Sequence, residues 1–578
     1  MSEVIEIPKI PNRPARTFLP ENFSVTKWSD LKPYFDRLLE QPITSAADLK
    51  TWLQHRSELE SVISEEGGWR YIRMTCYTDN EDYTKSYQDF VQQIQPEIAP
   101  YSDSLNKKVL ESACLKDLEH ESGYGIMIRN LKKEVELFRE ENIPLVTEIT
   151  TETQKYAAIS GAMMVELNGQ ELTLQQAGVI LQSTDRAKRE EVYHKISERR
   201  RTEKTTLDDL FTKLIGLRHQ VARNADFENF RDYMFKAYGR FDYTPKDCFA
   251  FHEAIASEVV PILNELSIDR KEKLKVSQLR PWDKAVDAEG REALKAFADG
   301  NDLTEKSIQC FQKLDPYLGN CLSVMKEMGH LDLESRKGKA PGGYNYPLAE
   351  IGVPFIFMNA TSTMRDMTTI MHEGGHAVHN FLTKDLELND FKSTPMEVAE
   401  LASMSMELIS MDQWQIFFPN DDELKRAKRD QLEDIIETLP WVATIDKFQH
   451  WIYENPAHTT AQRKENWNRI FDEFADTVTD WSGLQEAKDY LWQKQLHLYE
   501  VPFYYIEYGM AQLGAIAVWR NFKQNKAKGL EGYMNALKLG YLKTIPEIYE
   551  AANVKFDFSK AYIKELMSFV RAELEKLG

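Results

Sequence analysis

The chain has 578 residues, too many for a single hydrophobic core, so at least two lobes are expected. Apolar residues make up 42% and aromatic residues 11%, which supports a large packed interior and excludes wholesale disorder. A formal charge of -20 argues against nucleic acid or an anionic membrane as the main partner. The first residues, "MSEVIEIPKIPNRP", lack the basic-plus-apolar pattern of a signal peptide. No stretch has the apolar length that spans a bilayer. Cys76, Cys114, Cys248, Cys310 and Cys321 are scattered without a C-x-x-C pair, which reads as buried, reduced thiols. A cytoplasmic protein is expected.

In chain order, apolar residues recur at three- and four-residue intervals over 46–65, 84–99, 104–118, 205–224 and 246–267, predicting amphipathic helices and a mainly α fold. "AMMVELNGQELTL", 162–174, places Asn168-Gly169 between two alternating runs and predicts a β-hairpin. The charged stretch 183–204 reads as a solvated helix face. It also marks a passage from an N-terminal, mainly helical lobe over 1–200 to a second helical region over 201–578. "SRKGKAPGGYNY", 335–346, is glycine-rich and basic but lacks Walker spacing, so it reads as a turn. "PFIFM", 354–358, suits a short buried strand.

Residues 361–386 have helical periodicity and contain H-E-x-x-H as His372, Glu373 and His376. Residues four apart share a helix face, so both imidazoles reach one zinc ion. Glu373 lies about 100° around the helix, placed to act on water without being a ligand. Gly374 and Gly375 each cost roughly 1 kcal/mol against alanine in a helix. They make sense where the back of the helix approaches another backbone. By contrast, "FHEAIA", 251–256, has no second histidine, so His252 reads as an ordinary helix residue.

His379 lies ~10.5 Å along the axis from His372, too far to share the ion, and reads as a supporting or structural group. The third ligand is expected from the next helix, "STPMEVAELASMSMELISM". There Thr394, Pro395 and Glu397 fit N-cap, N1 and N3 of a capping box. Glu400 is then free to face the first helix as ligand, with Glu407 supporting the site. Two histidines and one glutamate leave a coordination position open, which points to a catalytic ion.

"HEGGHAVH" with "VAELASMSMEL", "LRPWD", "KAPGGYNY", "PFIFMN" and "VPFYYIEYGMAQLGA" resembles the thimet oligopeptidase and oligoendopeptidase F family of zinc metallopeptidases, in its oligoendopeptidase F-like branch. The resemblance covers roughly 160–578. It implies a two-lobed helical metallopeptidase with a deep substrate channel and a small β-sheet near the zinc helix. It also implies one Zn²⁺, short peptide substrates, and "PFIFMN" as a sheet edge where a peptide adds as a strand. The family usually carries a bulky residue where Gly374 stands, and the departure implies a locally looser helix. Taken alone, "HLYEVPFYYIEY", 497–508, reads as an aromatic core helix. The resemblance implies that Tyr508 and Tyr505 stabilise the oxyanion, with His497 assisting and Tyr504 and Tyr499 in reserve. The expected activity is zinc-dependent cleavage of internal peptide bonds. The alternatives are a zinc aminopeptidase, a dipeptidyl carboxypeptidase and a non-catalytic peptide binder that keeps its zinc.

Overall fold

The computed structural model describes residues 7–336, 338–340 and 342–578. The stretches expected from periodicity are helical, except that the α-helix in 104–118 ends at Glu111 and a 3-10 turn, Ala113–Asp117, follows. The segment 46–65 opens α1 (Ala46–Cys76), a 31-residue helix whose N-cap Ser45 accepts from the Asp48 amide. The segment 246–267 is two helices, α2 (Pro245–Glu258) and Val260–Lys273, because Pro261 has no amide proton and starts the second. The hairpin forms as β1 (Met164–Leu167) and β2 (Gln170–Thr173). Asn168 and Gly169 both take positive φ, 54° and 77°, as a tight two-residue turn requires.

The charged stretch 183–204 is only partly a solvated face. In helix Arg186–Thr202, Arg189 turns inward and, with the partly exposed Arg186, grips the buried Asp283 of "LRPWD" at 2.8 Å each. The buried Arg189 and Asp283 charges are tolerated because the carboxylate is paired on both oxygens.

A second sheet holds β3 (Leu331–Glu334), β4 (Tyr344–Tyr346) and β5 (Phe355–Ala360) in the order β3-β5-β4. β5 runs parallel to β3 and antiparallel to β4. "PFIFMN" is therefore the central strand, which corrects the expectation that it forms an edge. Four consecutive residues of β5, Phe355 to Met358, are buried, and a strand covered on both faces belongs in the middle of a sheet. β4 carries the free edge on the side of the zinc-motif helix.

The interior falls into two main apolar clusters. One draws on residues from Phe18 to Leu131, with Leu388 and Phe391 added. The larger runs from Tyr156 to Leu574 and contains the zinc-motif helix. The hairpin makes a satellite with Ala177 and Val192. A bridging cluster packs Ile72 and Cys76 of α1 onto Phe355 and Phe357 of β5. All five cysteines are free thiols, and four are buried. No helix among the described residues is long and apolar enough to cross a membrane.

Candidate metal centre

Three further helices and the turn before a fourth build the site. α3 (Met364–Thr383) carries the H-E-x-x-H motif. Its start is fixed by a capping box: Thr363 Oγ1 accepts from the Asp366 amide at 3.2 Å, and Asp366 Oδ2 accepts from the Thr363 amide at 2.9 Å. The apolar face of Met367, Ile370, Met371, Ala377, Val378 and Phe381 is buried. The opposite face keeps His372 and His376 at 20% and 18% side-chain exposure.

α4 (Met396–Ser410) lies across the back of α3. The two glycines allow this approach in different ways. A Cβ on Gly375 would sit 2.6 Å from Ser403 Cα and 2.7 Å from the Ala402 carbonyl oxygen, both backbone atoms of α4. A Cβ on Gly374 would meet the Phe311 ring at 2.6 Å. The space left by the missing side chain at 374 is thus filled by Phe311, and the helix continues unbroken, contrary to the looser helix implied by the resemblance.

α4 starts one residue later than expected, and the capping box of Thr394 and Glu397 does not form. Glu397 is instead buried and accepts from the Tyr243 hydroxyl at 2.7 Å. A buried carboxylate gains more from a donor in the interior than from a solvated cap. Glu400, one turn on, reaches α3. Its Oε2 stands 3.3 Å from His372 Nε2 and 3.7 Å from His376 Nε2. Metal bonds of ~2.0–2.1 Å at tetrahedral angles put ligand atoms about 3.3 Å apart, so these three donors fit one zinc ion. The other carboxylate oxygen, Oε1, accepts from the Tyr504 hydroxyl at 2.5 Å.

Glu407 stands behind His372, with Oε1 2.7 Å from Nδ1, and its Oε2 accepts from Gln431 Nε2 at 2.9 Å. The carboxylate favours the proton on Nδ1 and leaves Nε2 free to ligate. Gln431 comes from α5 (Asp421–Glu454). Glu373 is 7% exposed. Burial, with Glu400 and Glu407 nearby, pushes its carboxyl up to about 7. Burial opposes ionisation of Glu400 too, but the hydrogen bond to His372 and the nearby His376 bring it down to about 2. His379 lies deep in the core with Nε2 unpartnered, and burial lowers it to about 3.

The tyrosine segment is not the single aromatic helix that its pattern suggests. Phe503 takes positive φ at 68°, and α6 begins only at Ile506 (Ile506–Gln524). Tyr504 and Tyr505 therefore sit in the turn before α6 and Tyr508 in its first turn. Tyr499 is fully buried, stacked 4.3 Å from Tyr156, and belongs to the core.

His497 Nε2 lies 3.2 Å from the Tyr508 hydroxyl, and Nδ1 lies 2.7 Å from Gln495 Nε2. Trp441 Nε1 donates to Gln495 Oε1 at 3.0 Å. An indole can only donate, so it fixes the Gln495 amide with its NH₂ towards Nδ1. His497 then donates from Nε2 to the Tyr508 oxygen, leaving the phenol proton free. Burial lowers His497 to about 4, consistent with the neutral ring this relay needs. Tyr505 packs edge-on against His497 and Tyr508, with ring centroids at 5.0 and 5.3 Å. Gln495, Trp441 and Gln431 carry no motif signal in the sequence, and only the fold brings them in.

A model of "Peptidase family M3" matches residues 179–568, and one of "Peptidase M3 N-terminal domain" matches residues 18–138. An oligoendopeptidase F homolog of Borreliella burgdorferi is 24% identical over 438 residues, covering 73% of this chain and 71% of its own. Among solved structures, Pz peptidase A with an inhibitor superposes with a TM-score of 0.91 at 24% identity, over 96% of this chain and 99% of its own. A putative oligoendopeptidase F from Bacillus anthracis gives a TM-score of 0.87 at 21% identity, over 97% and 99%. With the His372, His376 and Glu400 cluster in place and a family model matched along most of the chain, the protein belongs to peptidase family M3.

Proposed function

We propose that the protein is a zinc-dependent endopeptidase that hydrolyses internal bonds of short peptides. The observation that carries the reading is an incomplete ligand set, drawn from α3 and α4, beside the buried Glu373 carboxyl of α3. His372, His376 and Glu400 supply three donors, and Glu373 projects beside them with its carboxyl near 7. When bound there, zinc supplies Lewis acidity that makes water nucleophilic near neutral pH. Glu373 accepts the proton of the attacking water and delivers it to the leaving amine. Tyr508, its oxygen engaged by His497, turns its free phenol proton to the developing oxyanion, with Tyr505 packed beside it. Tyr504 holds Glu400 in place through its hydroxyl.

In this reading the two apolar clusters are the cores of two lobes flanking a substrate channel. The peptide lies along the free edge of β4, which Asn345 ties to α3 by donating to the Glu373 carbonyl at 3.2 Å. Backbone pairing at an edge accepts varied side chains, which suits an oligopeptidase.

A peptide blocked at both ends and internally quenched tests the proposal. Wild type is expected to cut it internally, and Glu373→Gln to keep its metal while losing about 10²–10⁴ in kcat. Cleavage only of peptides with a free terminus would favour an aminopeptidase or a dipeptidyl carboxypeptidase. No hydrolysis of any peptide by the metal-loaded wild type would favour a peptide binder.

A further inference from the structure

A second group of metal-type donors lies in the core, away from α3. Cys248 and His252 are four apart on α2, and Asp446 and His450 are four apart on α5, so each pair projects from one helix face. A sulfur of Cys248, an oxygen of Asp446 and a nitrogen of His450 all lie within 4.8 Å of one another, the same compactness that marks the His372, His376 and Glu400 group. His252 Nε2 and His450 Nε2 approach the same oxygen, Asp446 Oδ2, at 2.9 and 3.3 Å. All four side chains are 0% or 1% exposed. His252 is thus not the ordinary helix histidine its sequence context suggests.

The polar atoms here are not satisfied by protein. His450 Nδ1 and Nε2, Asp446 Oδ1 and His252 Nδ1 have no hydrogen-bond partner, and a buried polar atom left unpaired is destabilising. The nearby cations already hold carboxylates, with Arg240 Nε and Nη1 left without a hydrogen-bond partner. Arg240 is bound by Glu507 at 2.8 Å and by the Phe503 carbonyl, and Arg231 by Asp232 and Glu454. The walls are apolar, with Phe249 and Phe503 at 4.8 and 5.5 Å from the His450 ring.

We propose that Cys248, Asp446 and His450 form a structural site for one Zn²⁺, distinct from the α3 centre, with His252 holding Asp446 through its hydrogen bond. Thiolate and carboxylate cancel the two positive charges of the ion, and the neutral imidazole of His450 adds a third donor. The site then holds no net charge, and its complete burial keeps substrate out, which makes it structural rather than catalytic. Mixed sulfur and nitrogen donors select zinc over calcium or magnesium. The ion clamps α2 to α5 beneath the tyrosine turn. Gln449, beside His450, accepts from the Phe503 amide at 2.5 Å. A Cβ on Gly509 of α6 would meet the Phe251 ring of α2 at 2.7 Å.

Metal analysis of the full-length protein purified without chelator tests this. Wild type is expected to hold two zinc equivalents, and His376→Ala, which disables the α3 centre, to keep one. Replacing that remaining ion with Co²⁺ should give a near-ultraviolet thiolate charge-transfer band, since no cysteine lies among the α3 donors. Adding Cys248→Ala should abolish the band and the ion. One equivalent in wild type, lost in His376→Ala with no thiolate band from cobalt, overturns the proposal even if the Cys248 variant does not fold. One equivalent retained in His376→Ala and lost in Cys248→Ala would instead sink the peptidase reading and leave this site standing.

Discussion

At the scale of single residues, the candidate centre is built from side chains whose partners are fixed in advance. Glu407 sets the tautomer of His372 from behind and is itself held by Gln431. Glu407→Ala is expected to weaken metal binding 10–100-fold, read by chelator competition, with the fold unchanged by circular dichroism. An unchanged affinity would show that His372 needs no such partner. Tyr508 is at the end of a relay that starts at the Trp441 indole. Tyr508→Phe should lower kcat by about 10²–10³-fold, the usual effect of removing one oxyanion donor. Trp441→Phe removes only the group that orients Gln495, so a smaller loss, about tenfold or ~1.4 kcal/mol, is expected in kcat with KM unchanged. Equal losses in the two variants would contradict the relay. His372, Glu373 and His376 were legible in the sequence because helix spacing alone puts the two imidazoles on one face with Glu373 at its edge. Trp441 and Gln495 were not, since a hydrogen bond across 54 residues leaves no local pattern.

At the scale of elements, the decisive contact is α3 against α4. Adjacent glycines in a helix signal a close approach, and the structure separates their roles. At Gly375 the neighbour is the α4 backbone, which cannot move without dragging Glu400. Gly375→Ala is therefore expected to cost about 1–3 kcal/mol by overpacking, seen as a lower denaturant midpoint, and to weaken metal binding as well. At Gly374 the neighbour is the buried Phe311 ring, a side chain with more freedom to adjust than backbone. There the gain of about 1 kcal/mol in helix propensity offsets the clash, so Gly374→Ala should be near neutral. A Gly374→Ala loss as large as that of Gly375→Ala would show that Phe311 is as rigid as backbone. The hairpin and the core strand were legible as elements from local turn chemistry and from an unbroken apolar run. The place of β5 in its sheet was not, because strand order depends on partners far along the chain.

Across the whole molecule, α1 and the sheet join the two clusters, and Asp332 of β3 anchors the segment between them. Its carboxylate takes Arg336 at 2.6 Å and Lys339 at 2.9 Å, and Arg336 also donates to the Cys76 carbonyl at the end of α1. Burial alone would raise Asp332, but these hydrogen bonds outweigh it and hold the group at about 2, below its ordinary 3.8. A carboxyl depressed in the folded state stabilises above its unfolded pKa and loses that contribution as pH falls through the folded value. The difference in unfolding temperature between wild type and Asp332→Asn should thus be constant from neutral pH to about 5. It should shrink below 3.8 and vanish near 2. A difference that grew on acidification would rule out the ion pairs as its source.

Local sequence determined the helices, the hairpin turn and the spacing of His372, Glu373 and His376, because each depends on residues within one or two turns of chain. The tertiary structure alone decided which oxygen of Glu400 faces the imidazoles, that Glu397 pairs with Tyr243 instead of capping, and that β5 is central. It alone brought Cys248 and His252 against Asp446 and His450. Each of these rests on contacts between helices or strands remote in sequence, where burial and shape set the neighbour and no short-range periodicity records it.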